Sequence, residues 1–169
     1  MNLREQLLKE HSKANCNKIV QWIGASKQRF DELFKLFLSD EYRVVQNAAW
    51  PLSYCVIAHP QLIKKHFAKM VSNLARPGIH SAVKRNTMRL LQNIEIPQKY
   101  HGVLMDACFK YIAVPGEAIA VKVFSLTVLE KLAKQYPAIV PELKLVIEEN
   151  YEHASAGFKS RAKKILGSI

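Results

Sequence analysis

The chain of 169 residues is poor in the features that announce an enzyme or a secreted protein. It contains no Gly-x-Gly-x-x-Gly, no Gly-x-x-x-x-Gly-Lys-Ser/Thr and no Gly-x-Ser-x-Gly. Neither a glycine loop that cradles phosphate nor a nucleophile elbow is therefore on offer. Histidines 11, 59, 66, 80, 101 and 153 are scattered, with no His-x-x-x-His and no Cys/His pairing, so no metal site and no cofactor are expected. Cys16, Cys55 and Cys108 are odd in number, far apart and free of Cys-x-x-Cys spacing. Each falls on the apolar face of a predicted helix, which points to buried reduced thiols. No run of eighteen apolar residues occurs, and no transmembrane helix is expected. The opening Met1-Asn2-Leu3-Arg4-Glu5-Gln6 carries charge where a signal peptide needs an apolar core, so a cytoplasmic location is the expectation. Glycine and proline are scarce, at six and seven residues.

What is present is a repeat. Val45-Gln46-Asn47-Ala48-Ala49-Trp50-Pro51-Leu52 recurs in pattern as the stretch from Val83 to Leu90, then from Val121 to Val128, then from Phe158 to Ile165. The anchors are 38, 38 and 37 residues apart. Each copy has an apolar anchor, a polar neighbour, a small residue four places on and a branched aliphatic seven places on. Those offsets share one helix face, and a small residue at its centre lets two helix axes approach closely. The period predicts an all-α solenoid of about four helical hairpins. At 49% apolar residues, the chain has the composition of a packed globular protein.

In chain order, residues 1–12 form a capping segment whose helix places Leu3, Leu7 and Leu8 on one side. Repeats follow at about 13–38, 39–75, 76–112 and 113–152, with a terminal half-repeat at 153–169, all as one domain. Ser26 and the Ser39-Asp40 pair suit N-caps. Pro51 lies inside a predicted helix, where it removes a hydrogen bond and clashes with the carbonyl of Asn47, so a kink is expected. Pro60, Pro97 and Pro137 sit 15, 14 and 16 residues after their anchors and split each repeat into two helices. Arg76-Pro77-Gly78 and Val114-Pro115-Gly116 separate the repeats. The second helices carry Phe30, Leu33, Phe34 and Phe37, then Ile63, Phe67, Met70, Val71 and Leu74, then Tyr100, Val103, Leu104, Cys108 and Tyr111 on their inward stripes.

Asp40-Glu41 ahead of Val45, the small pair Ala48-Ala49, the mid-helix Pro51 and the two-helix unit resemble HEAT repeats, within the armadillo-like α-α superhelices. The resemblance spans about 13–169 and is best over 40–135. It implies a right-handed superhelix whose second helices line the concave side. It also implies that the basic residue after each anchor, here Lys84, Lys122 and Lys159, pairs with an acidic residue of a neighbouring repeat. Glu41 and Glu117 hold the acidic place, Gln46 breaks the basic series, and His80 replaces the acid in repeat three.

The 25 Lys/Arg against 14 Asp/Glu give a net charge of +11, which attracts anionic partners. Opposite the apolar stripes of the second helices lie Arg29, Glu32 and Leu36; Lys65, Lys69 and Arg76; Lys99, Asp106, Phe109 and Lys110; and Leu145, Glu148, Glu149 and Glu152. This lining runs from basic to acidic. Residues 61–110 hold nine Lys/Arg against Glu95 and Asp106. A mixed lining fits a protein or peptide partner bound through Lys65, Lys69, Arg76, Lys99, Phe109, Lys110, Glu148 and Glu152. The alternative is a nucleic-acid module gripping phosphates through Lys64, Lys65, Lys69, Arg76, Lys84, Arg85, Arg89 and Lys99. A weaker similarity to the HEAT-like alkylpurine DNA glycosylases stops short of their Trp-and-Asp catalytic helix, since Trp22 and Trp50 are followed four residues on by Ser26 and Tyr54. No catalytic residue is assigned.

Overall fold

The computed structural model describes residues 1–39 and 41–169, which form ten α-helices with no strand among them. They are α1 (Leu3–Lys9), α2 (Lys13–Ile23), α3 (Lys27–Phe37), α4 (Tyr42–Ala58), α5 (Phe67–Asn73), α6 (Ser81–Asn93), α7 (His101–Ala113), α8 (Ile119–Ala133), α9 (Val140–Tyr151) and α10 (Ala156–Leu166). Every helix that the periodicity predicts is found, and the all-α helical-repeat fold stands.

Local chemistry explains most boundaries. Ser12, Ser26 and Ser155 cap α2, α3 and α10 by accepting the amide of the third residue on, at 3.1, 3.4 and 3.2 Å. His80 does the same for α6, its Nδ1 accepting from the Ala82 amide at 2.8 Å. Of the Ser39-Asp40 pair expected to cap the next helix, only Ser39 is among the described residues. Glu41 is the N-cap of α4 and makes no side-chain cap bond, because its carboxylate is drawn to Arg4 of α1. The Ser39 hydroxyl is enclosed without a partner, and Asp40 lies outside the described residues.

Pro60 and Pro137 open 3-10 turns at Pro60–His66 and Pro137–Ile139, and Pro97 precedes a third at Gln98–Tyr100. A proline fits there because a first-turn amide has no helical partner to lose. The second helices α5, α7 and α9 thus enter through a tight turn, and α5 itself begins only at Phe67. The breaks between repeats turn on Gly78 (φ 67°) and Gly116 (φ 78°). Nothing lies within 4 Å of a Cβ added at either place, so the demand for glycine is the left-handed backbone itself. Helix α4 continues through Pro51, which is buried.

The chain divides into two compact units, Met1–Ile94 and Glu95–Ile169, with the boundary between the two helices of repeat three. In the first unit α4 is central and packs against α1, α2, α3 and α6. Ala48 and Ala49 are completely buried there, as close axis approach requires. Buried asparagine amides tie the capping helix down. Asn47 donates to the Leu7 carbonyl at 2.8 Å, and Asn15 donates to the Gln6 and Glu10 carbonyls, each at 2.8 Å. These are carbonyls at the α1 C-terminus that the helix cannot satisfy itself.

In the second unit α8 packs against α7 and α10, and α9 against the same two helices. His101 is buried, its Nε2–H donating to the Ile96 carbonyl at 2.7 Å and its Nδ1 accepting from the Tyr136 hydroxyl at 2.9 Å. The predicted stripes are buried with two corrections, the first being Tyr100, which is only half-buried. Val103, read as inward, is 49% exposed. It lies a single residue, about 100° of helix, from Leu104, and the cover over Leu104, Cys108 and Tyr111 stops short of it.

Candidate partner-binding site

The second helices turn their charged sides to solvent, as read from the sequence. In the first unit Arg29, Glu32, Lys64, Lys65, Lys69 and Arg76 are exposed and Leu36 is half-buried. Lys65 is anchored, its Nζ donating to Asp31 Oδ2 at 2.5 Å, while the other Asp31 oxygen meets His66 Nε2 at 2.7 Å. The hydrogen bond from Lys65 holds the Asp31 carboxyl below its usual range, with His66 adding to the effect against partial burial. His66 stacks on Phe34 at 4.2 Å between ring centres, so this cluster joins the α3 surface to the approach of α5. Arg76 reaches Asn73 Oδ1 at 3.4 Å.

In the second unit Lys99, Asp106, Lys110, Glu148, Glu149 and Glu152 are exposed. Phe109, expected as the apolar anchor of this face, is only half-exposed. Val103 on α7 and Leu145 on α9 are presented instead, at 49% and 55% exposure. Those two helices pack together, so this unit offers aliphatic side chains among Asp106, Lys110 and the α9 glutamates.

Two of the lysines after the repeat anchors, Lys122 and Lys159, take other oxygens than the resemblance implies. Lys122 Nζ donates to Asn150 Oδ1 at 3.2 Å and Lys159 Nζ to the Glu152 carbonyl at 2.9 Å. Acceptors at the C-terminal end of α9 lie nearer to both. Glu117 accepts from the Ala118 amide at 3.0 Å.

Sequence reasoning named Arg85 and Arg89 as phosphate-gripping candidates but missed the aromatic row that they join on the first helices of the first unit. His11 lies 5.4 Å from Trp50 and Trp50 lies 6.5 Å from Tyr54, ring centre to ring centre. The Arg89 guanidinium sits 5.9 Å over the Tyr54 ring and donates to Asn86 Oδ1 at 3.0 Å. Partial burial lowers the Arg89 pKa, and the neighbouring Arg85 charge adds to that shift. The signal was available: from Tyr42 to Ile94 there is no Asp or Glu, against eight Lys/Arg. The first unit holds fifteen Lys/Arg and six Asp/Glu, the second ten and eight, so nearly all the excess charge belongs to the first.

Ser26, four after Trp22, caps α3; Tyr54, four after Trp50, lies tilted against it in the row above; Asp106 faces solvent. Burial pushes the thiols of Cys16, Cys55 and Cys108 up to about 11, 12 and 12. All three are buried and unpaired as disulfides, in agreement with the reading as inert thiols. Among the described residues no cluster of His, Cys, Asp and Glu could hold a metal ion, and no helix is long and apolar enough to cross a membrane.

The family model of the HEAT repeat domain matches residues 3–169. No curated protein and no solved structure matches the chain. The tandem helical hairpins, the buried small pair on α4 and a match over nearly the whole sequence lead to one conclusion: the chain belongs to the HEAT repeat family.

Proposed function

We propose that this protein is a non-catalytic scaffold that binds a protein or peptide partner through its second helices. HEAT repeats generally serve as protein-interaction scaffolds. The observation that carries the reading is the exposure of Val103 and Leu145, both aliphatic and about half exposed, on α7 and α9, two helices that pack together. Asp106, Lys110, Glu148, Glu149 and Glu152 supply charge of both signs around them. An apolar centre within a mixed polar rim is the anatomy of a protein interface. A phosphate backbone would be repelled by the three α9 glutamates. Lys99 in the same unit adds a cation near Tyr100, and the second helices of the first unit separately expose Lys65, Lys69 and Arg76, which suit acidic side chains. The cytoplasm is the compartment expected for it.

Affinity capture tests this. Immobilised wild-type protein should retain a polypeptide that the double variant Val103→Asp, Leu145→Asp does not, while both keep the same helical circular-dichroism spectrum. Equal retention by the two would remove this face from the account.

A further inference from the structure

We propose that the first-helix row of the first unit, running from Trp50 and Tyr54 on α4 to Arg85 and Arg89 on α6, binds single-stranded nucleic acid. This surface is distinct from the second-helix faces assigned to a protein partner, and the two proposals stand or fall separately. Trp50 and Tyr54 are one helical turn apart, as are Arg85 and Arg89, and α4 and α6 pack side by side. The contacts make the row continuous: Trp50 to Tyr54 at 6.5 Å, then Tyr54 to the Arg89 guanidinium at 5.9 Å. Tyr54 is 40% exposed, and Trp50, Arg85 and Arg89 are half-buried.

The row concentrates positive charge on two helices that carry no carboxylate. Arg85 and Arg89 are like charges at i and i+4, a spacing that destabilises an isolated helix. Arg85 forms no ion pair among the described residues, and its Nε is enclosed without a hydrogen-bond partner. The Trp50 Nε1 donor is enclosed and unpartnered as well. Neither α4 nor α6 contains a single carboxylate to compensate. Like-charged neighbours on an acid-free surface are expected where an anionic ligand docks.

The chemistry of the row selects the ligand. Phosphates match arginine guanidinium groups, and any base can stack on an indole or phenol face, so the combination of a basic track with aromatic platforms suits a single strand. In a duplex the bases are already stacked inside and leave the aromatic rings without a partner. An acidic peptide would satisfy the arginines but gives Trp50 and Tyr54 nothing specific to hold.

Fluorescence anisotropy of a labelled oligothymidine, titrated with the full chain between about 50 and 200 mM salt, tests the proposal. Binding should weaken with salt, with log K falling by about 0.7 per log salt for each phosphate engaged. Tyr54→Ala should weaken binding roughly tenfold by removing one stacking platform, whereas Tyr54→Phe should retain it. Arg85→Gln should reduce the salt slope by about 0.7. Both positions are partly exposed, and circular dichroism checks that the variants fold. Three results would overturn the proposal: no binding at the lower salt, binding indifferent to Tyr54→Ala and Arg85→Gln, or an oligoglutamate of equal length binding as tightly as the oligothymidine. The last result would assign the row to an acidic peptide.

Discussion

The Asn47 side chain, buried on α4, donates to the main-chain carbonyl of Leu7 at 2.8 Å across forty positions of sequence. One amide thus closes the C-terminal end of the capping helix onto the centre of the first unit. Asn47→Ala leaves that buried carbonyl without a donor and should cost about 1–3 kcal/mol. Native-state hydrogen exchange should show the loss first in the amides of α1. Protection unchanged across residues 3–9 would mean that Asn15 and the Arg4–Glu41 pair hold the helix alone.

Ala49 is completely buried on α4, the helix against which α1, α2, α3 and α6 pack. Ala49→Leu adds three carbons where helix axes meet and should destabilise by about 1–3 kcal/mol through overpacking. Urea unfolding measures it. A midpoint equal to that of wild type would contradict the repeat register, which rests on this small position.

His80 caps α6 through Nδ1, which must stay unprotonated to accept the Ala82 amide. Burial, and secondly the Arg85 charge, lower its pKa from the usual 6.5. The unfolded chain therefore binds the proton more readily than the folded one. The contribution of His80 to stability is full above about pH 6.5 and is lost progressively as the pH falls through the lowered folded value. Urea midpoints taken from pH 8 to 5 should decline, and His80→Asn, a capping side chain that does not titrate, should flatten that part of the decline. Parallel pH profiles for the two proteins would contradict the assignment.

The three thiols, pushed up to about 11, 12 and 12, are protonated and enclosed at neutral pH. A thiol reagent at pH 7.5 should leave all three unmodified on the native protein and modify all three in denaturant. Fast modification of any one under native conditions would show an opening that the packing does not suggest.

The helices and their inward stripes were legible because a period of 3.6 residues and the regular placing of Pro60, Pro97 and Pro137 are local properties. The polar sides of α3, α5, α7 and α9 followed from the same counting. Val103 was not legible, because periodicity marks the width of an apolar stripe but not how far the neighbouring helices cover it. Phe109 misled for the same reason in the other direction. The use of Glu41 by Arg4 rather than as part of a cap depends on a contact between residues 37 apart, which no local pattern contains. Arg85 and Arg89 were legible as basic residues, but their neighbourhood with Trp50 and Tyr54 was not, because it depends on the packing of α4 against α6. The acid-free stretch that surrounds it was visible in the sequence throughout.

Site-specific photocrosslinking tests the scaffold reading most directly. A photoreactive side chain placed at position 103 or 145, and at Ser160 on α10 as an exposed control, is activated in extracts of cells that make the protein. Adducts to one and the same polypeptide are expected from positions 103 and 145, suppressed by excess unmodified protein and by Glu148→Lys, and absent from position 160. Equal adducts from the control position, or none from 103 and 145, would contradict the assignment of the second-helix face as the partner-binding surface.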